Sequence, residues 1–180
     1  DIDFRSRLSS DEEREFIASR VVGSSTTYRD IDKADQVLLV GFEPEEESPI
    51  VFLRINKQFR KRALKVVSIG SKESIAVGKL KAEFVKVAPG QEAAAISAQK
   101  LTDKSVILVG ERAAESAGAL TAVAALADST GAKLAWIPRR AGERGAIEAG
   151  AIGNLLPGGR PVTDAAARVD IAAVWNTDSI

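Results

Sequence analysis

The sequence predicts an α/β protein with a mainly parallel, doubly wound, nucleotide-fold-like sheet and helices on both faces. Two unbroken apolar runs, 37–40 and 106–109, each end at a glycine, and such runs are typical of parallel strands that are buried on both faces. Helical patterns with capping signals separate the apolar runs, and this alternation indicates a parallel sheet covered by helices. The repeat of a strand ending in glycine indicates two similar halves.

The residues before the first strand predict one helix and a turn. Ser10 and Glu13 form a capping box, in which the serine side chain bonds a first-turn amide and the glutamate reaches back. We expect a helix from Asp11 to Val21 that stops at Gly23. The polar residues that follow predict a short connection.

The remaining elements follow from apolar runs and from helix start and stop signals. Ser48 followed by Pro49 predicts a helix start, and Gly131 predicts the end of a long alanine-rich helix. Thr163 or Asp164 is expected to cap a short helix. The predicted strands span residues 37–40, 66–69, 84–87, 106–109, 133–137 and 171–175. Further predicted helices span residues 91–101 and 113–130.

Three segments make up the predicted domain organisation. Residues 1–34 form a helical lead-in, 35–101 a first α/β half, and 102–180 a second α/β half with an arginine- and glycine-rich loop at 138–161. The chain does not begin with methionine, and we interpret it as a fragment of a longer polypeptide.

Composition excludes several kinds of chemistry. The 180 residues include no cysteine and no histidine. Thiolate nucleophiles, iron–sulfur ligands and zinc–thiolate sites are therefore excluded, and the usual acid–base residue near neutral pH is missing. Lysine and arginine together number 25, as do aspartate and glutamate, so no net charge attracts nucleic acid. No apolar run approaches the ~20 residues that span a bilayer. We expect no catalytic residue, no metal ligand, no nucleic-acid partner and no direct membrane insertion.

The first candidate site is the acidic loop, residues 41–47, which follows the strand 37–40. A glycine that ends a buried strand and leads into a helix is the usual place where a parallel α/β sheet holds a phosphate. This loop carries four carboxylates, Glu43 and Glu45 to Glu47, and they repel a phosphate. We favour the simpler interpretation, a strand-to-helix turn whose negative charges stabilise the helix dipole by ~0.3–1 kcal/mol.

The second candidate site is the arginine-rich loop, residues 138–161, which follows a strand at the ligand-binding end of the predicted sheet. Two interpretations are possible. Either the arginines hold an anion, or the loop packs on a neighbouring domain with its arginines paired to carboxylates. Gly145 and Gly150 have the glycine spacing of a P-loop, but Ala151 stands where its lysine is needed. The arginines concerned are Arg139, Arg140, Arg144 and Arg160.

Several stretches of the chain resemble one protein family. They are residues 1–5, 28–35, 41–49 (Gly-Phe-Glu-Pro-Glu-Glu-Glu-Ser-Pro) and 138–146 (Pro-Arg-Arg-Ala-Gly-Glu-Arg-Gly-Ala). Together they resemble the G subunits of bacterial NADH:quinone oxidoreductases, the respiratory complex I, and the resemblance covers nearly the whole chain. Those subunits have N-terminal iron–sulfur domains followed by a large domain similar to molybdopterin oxidoreductases. The resemblance places this chain within the latter domain.

The resemblance identifies a vestigial cofactor position in the acidic loop. In molybdopterin enzymes this loop reads Gly-x-Asn-Pro, and the asparagine helps to hold the dinucleotide cofactor. Gly41 and Pro44 match the motif, whereas Glu43 replaces the asparagine. An amide donates a hydrogen bond to a phosphate, and an ionised carboxylate does not.

A second vestigial position lies in the arginine-rich loop. The family motif Asn-Val-Gln-Gly-Ala-x-x-x-Gly matches at Gly145, Ala146 and Gly150, but residues 142–144 lack its two amides. Both departures remove groups that grip the cofactor. The resemblance therefore implies a domain that has lost its cofactor, with none bound in this fragment.

The function implied by the resemblance is a structural and interaction module of an enzyme of respiratory electron transport to quinone. Its partners are then other domains of the same polypeptide and other complex I subunits, and the iron–sulfur clusters lie elsewhere in the parent subunit. The expected location is a peripheral arm on the cytoplasmic side of the bacterial inner membrane. Two alternatives stay open: a molybdopterin-dinucleotide-binding domain of an active oxidoreductase, and a stand-alone nucleotide-binding protein.

Overall fold

A computed structural model describes residues 9–153, 155–156 and 160–177. The chain forms two compact units, Ser24–Arg139 and the combination of Asp1–Gly23 with Arg140–Ile180. The helices are α1 (Asp11–Phe16), α2 (Tyr28–Lys33), α3 (Pro44–Glu47), α4 (Pro49–Arg62), α5 (Ile75–Lys79), α6 (Glu92–Ser97), α7 (Ala119–Thr130), α8 (Glu143–Glu148) and α9 (Ala165–Thr177). The strands are β1 (Gln36–Val40), β2 (Lys65–Gly70), β3 (Glu83–Lys86), β4 (Val106–Gly110), β5 (Lys133–Ile137), β6 (Leu155–Leu156) and β7 (Arg160–Pro161).

The unit 24–139 is built on one sheet with the strand order β3-β2-β1-β4-β5. Every pairing in this sheet is parallel, so the carboxyl ends of its strands lie along one edge. The chain adds β2 and β3 on one side of β1 and then returns to add β4 and β5 on the other side, which is the doubly wound arrangement. The predicted α/β fold with a mainly parallel sheet flanked by helices is confirmed.

Both faces of the sheet are buried. On one face Leu39 and Leu108 belong to a cluster that includes Ile55 of α4. Leu38 and Ile107, which are neighbours of these residues along β1 and β4, are fully buried as well. Because side chains alternate between the two faces along a strand, a sheet covered on both faces needs unbroken apolar strands.

One predicted strand is wrong. Residues 171–175 belong to helix α9 rather than to a strand. The Asp164 carboxylate accepts a hydrogen bond from the Ala167 amide at 3.0 Å, so it caps a helix start, and the alanine-rich sequence that follows favours continuation. The other predicted strands correspond to β1, β2, β3, β4 and β5, with ends that differ by one residue at most.

Two predicted helices of the unit 24–139 are shorter in the structure. Helix α7 starts at Ala119 because residues Glu111–Glu115 form a 3-10 turn and Gly118 adopts a left-handed backbone with φ of 80°. Gly131 ends the helix as predicted, with φ of 73° and its amide bonded to the Ala127 carbonyl. The helix predicted at 91–101 is the six-residue α6.

The other unit contains α1, α8, α9 and the antiparallel pair β6–β7. Ser10 caps α1 by accepting a hydrogen bond from the Glu13 amide at 3.1 Å, and a π-helical turn at Ile17–Val21 completes the predicted helix 11–21. Within the described residues, the arginine-rich loop therefore holds regular structure, namely α8 and the strand pair β6–β7. The segment boundaries predicted at 34/35 and 101/102 stay predictions.

Candidate functional site

An open cleft of about 660 Å³ lies at the carboxyl edge of the sheet in the unit 24–139. The chain reverses its direction of strand addition between β1 and β4, so this junction is the topological switch point of the sheet. Ligands of open parallel sheets bind at such a point, outside the carboxyl ends of the strands. The ends of β1 and β2 and the segments that follow β3 and β4 line the cleft.

Two glycines bring the loops after β1 and β4 into main-chain contact at the switch point. Gly41 has φ of 56°, and a Cβ atom added to it lies 2.3 Å from the Ala113 nitrogen. A Cβ atom added to Gly110 lies 2.3 Å from the Gly41 carbonyl oxygen and 2.9 Å from the Phe42 Cα atom. The junction of β1 and β4 therefore requires glycine at both positions, because main-chain atoms occupy the space that a side chain needs.

Glu43 lies in the cleft just before helix α3. Its Oε1 atom accepts a hydrogen bond from the Glu45 amide at 3.4 Å, and Pro44 is buried at the first helical position. The structure thus places Gly41, Glu43 and Pro44 together at the switch point. A carboxylate here caps the helix amide and adds a negative charge where a phosphate approaches.

Glu47, at the end of α3, binds two arginines that follow the neighbouring strands β4 and β5. Its Oε1 atom lies 2.7 Å from Nη2 of Arg112 and 3.1 Å from Nη2 of Arg139. Its side chain is only 7% exposed, and its Oε2 atom is buried without a hydrogen-bond partner in the part of the chain that the structure describes. We call Glu47, Arg112 and Arg139 the Glu47 ion-pair cluster. The acidic loop also holds Glu45, which pairs with Lys79 of α5.

Arg112 was not among the residues predicted from the sequence. The signal was nonetheless present, because Arg112 stands two residues after the glycine that ends β4, as Glu43 stands two residues after the glycine that follows β1. Residues that follow the carboxyl ends of neighbouring parallel strands lie at the same edge of the sheet. The equivalence of the two positions could have identified Arg112 as a candidate.

The predicted arginines fall in different units. Arg139 ends the unit 24–139, and its amide also donates a hydrogen bond to Glu111 Oε1 at 3.2 Å. The other three belong to the second unit. There Arg144 pairs with Glu148 at 2.7 Å, and Arg160 pairs with Asp170 at 3.2 Å.

The second vestigial motif lies on helix α8 rather than on a phosphate-binding loop. Gly145 and Ala146 are helical, and a Cβ atom added to Gly145 meets no atom of the described residues within 4 Å. Gly150 follows the helix with φ of 87°, and its amide donates to the Ile147 carbonyl. Gly145 therefore lies within a helix, where no neighbour among the described residues requires glycine, and Gly150 follows the end of that helix.

The electrostatics of the cleft disfavour an anionic ligand. Burial opposes the ionisation of Glu92, but hydrogen bonds from the Ser116 hydroxyl at 2.6 Å and from nearby backbone amides outweigh it and lower the pKa of Glu92 below its ordinary value. Glu92 thus stays ionised at the cleft wall. Charged residues that line the cleft are Glu43, Lys72, Glu73, Glu92, Arg112 and Glu115. The lining therefore contains four carboxylates and only two cations.

Metal-ligand clusters and membrane-spanning helices are both absent from the described ranges. Residues 9–153, 155–156 and 160–177 contain no group of three or more acidic, histidine or cysteine side chains arranged to hold a metal ion. The helices of these same ranges include none with the length and apolar character needed to cross a bilayer.

Comparisons with known proteins identify similar sequences. A family model described as molybdopterin oxidoreductase matches residues 6–176. The G subunits of the NADH-quinone oxidoreductases of Mycobacterium bovis and Mycobacterium tuberculosis are each 48% identical over 98% of this chain. The protein of the same name from Streptomyces coelicolor is 44% identical over 97% of the chain. The matched region spans only 23% to 25% of the length of these relatives.

Proposed function

The chain belongs to the molybdopterin oxidoreductase family, and from this premise we propose that it is a structural and interaction domain, without its ancestral cofactor, of the G subunit of an NADH-quinone oxidoreductase. The names of the relatives that match nearly all of the chain support the assignment to this subunit. In this proposal the domain supplies no catalytic residue. The proposal assigns the iron–sulfur clusters to other parts of the parent polypeptide, since this chain has no cysteine to ligate one.

The position of Glu43 carries the proposal of cofactor loss. It stands beside Gly41 at the switch point, where the family resemblance expects an asparagine that holds the cofactor. Its carboxylate caps the Glu45 amide, which is the type of donor that a phosphate needs. Bringing two like charges within ~4 Å costs about 4 kcal/mol at an effective dielectric constant of 20, which weakens binding roughly a thousandfold.

Metal and pterin analysis tests this proposal. We expect the purified full-length protein, in its assembled complex, to contain no stoichiometric molybdenum or tungsten and no pterin fluorescence after oxidative extraction. A molybdopterin oxidoreductase of the same family with a bound cofactor is the positive control. Stoichiometric metal together with pterin would show that the acidic loop accepts the cofactor and would establish the first alternative, an active molybdopterin-dinucleotide-binding domain.

The second alternative, a stand-alone nucleotide-binding protein, is less well supported. The switch-point cleft is of suitable size for a small ligand, but its charged lining is predominantly acidic. The matched region makes up only 23% to 25% of the relatives, which favours a domain within a larger polypeptide. Binding of a nucleotide to the full-length protein at micromolar concentration would favour this alternative.

The partners in this proposal are the rest of the same polypeptide and other subunits of the complex, on the cytoplasmic side of the membrane in the peripheral arm. Helix α4 offers a surface for the first of these. Ile50 and Leu53, three residues apart on its outer face, are 49% and 57% exposed. We assign this surface to the rest of the same polypeptide, because the relatives extend far beyond the matched region.

Hydrogen exchange in the full-length protein tests the α4 surface. Replacing Ile50 and Leu53 together with aspartate is expected to make the α4 amides exchange at least about tenfold faster, because covering the exposed half of each apolar side chain stabilises a contact by about 1 kcal/mol. The control replaces Thr121 and Ser129, which lie on α7 away from α4 in sequence, with aspartate and should leave α4 unchanged. Unaltered exchange of α4 in the Ile50 and Leu53 variant excludes docking through this face.

A further inference from the structure

The Glu47 ion-pair cluster is positioned by the register of the sheet. Gly110 of β4 pairs with Ile137 of β5, and Arg112 and Arg139 each stand two residues beyond one member of this pair. The sheet therefore brings two guanidinium groups side by side at its carboxyl edge, the edge where parallel sheets bind ligands. Two adjacent cations repel each other unless an anion lies between them.

The chain supplies that anion itself. A single oxygen of Glu47 contacts both guanidinium groups, through the Nη2 atom of each arginine. The second carboxylate oxygen is buried and has no hydrogen-bond partner within the described ranges. Arginine pairs suit planar or tetrahedral oxyanions, which present two or three acceptor oxygens to the same donors. One carboxylate oxygen therefore accepts hydrogen bonds from only some of the N–H donors of the two arginines.

We propose that Arg112 and Arg139 form an anion-binding site and that Glu47 is its internal ligand, which excludes free phosphate or pyrophosphate from this edge of the sheet. This inference rests on the proposed function and specifies how one part of the former ligand-binding edge is filled. Glu47 occupies the arginines directly, whereas Glu43 acts on the cleft by repulsion. The two effects differ in kind but meet at Arg112, which lines the cleft although Glu47 does not.

The groups around Arg112 and Arg139 limit the anion affinity that we expect of this site. Glu111 is 5% exposed, and its carboxylate accepts the Arg139 amide. This second carboxylate stays in place when Glu47 is removed and opposes an incoming anion. Arg112 and Arg139 are 42% and 40% exposed, so solvent also screens the attraction. We therefore expect a modest site rather than a tight one.

Anion binding by the Glu47→Ala variant tests the inference. The purified full-length protein, as wild type and as variant, is titrated with inorganic pyrophosphate by calorimetry at constant ionic strength. We expect the variant to bind at least about tenfold more tightly than the wild type, because removing the carboxylate frees the two arginines. Adding Arg112→Ala to the variant should abolish the gain. The matched control is Glu46→Ala, which removes another carboxylate from the same helix and should leave binding at the wild-type level.

The outcomes separate this inference from the proposed function. A folded Glu47→Ala variant that binds pyrophosphate no better than the wild type, or an equal gain in Glu46→Ala, overturns the internal-ligand proposal. Neither result bears on cofactor loss, which the metal and pterin analysis decides. Circular dichroism establishes that each variant is folded. Where the alanine variant does not fold, Glu47→Gln replaces it, and the absence of any gain in thermal stability on adding pyrophosphate overturns the proposal in the same way.

Discussion

Replacing Gly110 with alanine is expected to lower the free energy of unfolding of the unit 24–139 by about 3 kcal/mol or more. The added methyl group lies 2.3 Å from the Gly41 carbonyl oxygen and 2.9 Å from the Phe42 Cα atom. Both of these are backbone atoms, so no side-chain rotation relieves the overlap. Relief requires the main chain at Gly41 and Phe42 to move away from β4, yet it follows directly on Val40, which is paired to Val109 in the centre of the sheet. Urea denaturation followed by circular dichroism measures the change in the free energy of unfolding.

Gly70→Ala is the matched control for this prediction. Gly70 also ends a strand, β2, but a Cβ atom added to it lies 3.8 Å from its nearest neighbour, a side-chain atom of Phe84. That distance is ordinary van der Waals contact, so we expect a change of less than about 1 kcal/mol. Equal effects of the two substitutions would contradict the close approach of the loops after β1 and β4.

The second large effect is expected from removing both arginines of the Glu47 ion-pair cluster. Arg112→Ala with Arg139→Ala leaves the Glu47 carboxylate, whose side chain is 7% exposed, without its counter-charges. Breaking a buried ion pair in this way costs about 3–5 kcal/mol. Because the two arginines are 42% and 40% exposed, we expect a smaller loss of about 1–3 kcal/mol.

A third substitution reveals the cause of that loss. Adding Glu47→Gln to the double variant removes the uncompensated charge and is expected to recover about half of the lost stability or more, measured by urea denaturation. The control is Arg29→Ala with Lys61→Ala, which removes two exposed cations of the same unit and should change stability by less than about 0.5 kcal/mol. If the Glu47 substitution makes the double variant still less stable, the charge argument is wrong.

The parts of the fold that could be predicted from the sequence depend on local signals. The strands around Leu38 and Ile107 were identifiable because burial on both faces demands unbroken apolar runs. The run at 171–175 is also apolar but belongs to α9, since Asp164 starts a helix seven residues earlier and alanines continue it. A short apolar run does not by itself distinguish a strand from a buried helix.

The candidate site was only partly predictable for a different reason. Gly41 and Glu43 were identifiable because they follow β1 directly in the sequence. The pairing of Glu47 with Arg112 and Arg139 depends on which strands are neighbours, and a single sequence does not contain the β4–β5 register. The sequence therefore identified the carboxylate and one of the arginines as separate candidates, without the contact that joins them.

The Glu47 ion-pair cluster also changes how the stability of this unit responds to its surroundings. A domain that binds a free ligand gains stability by mass action, and the gain disappears when the ligand is scarce. Glu47 belongs to the same chain as Arg112 and Arg139, so its local concentration is fixed by the fold and cannot be diluted. The unit therefore holds its carboxyl edge together at any concentration of metabolites, which agrees with the structural role proposed above.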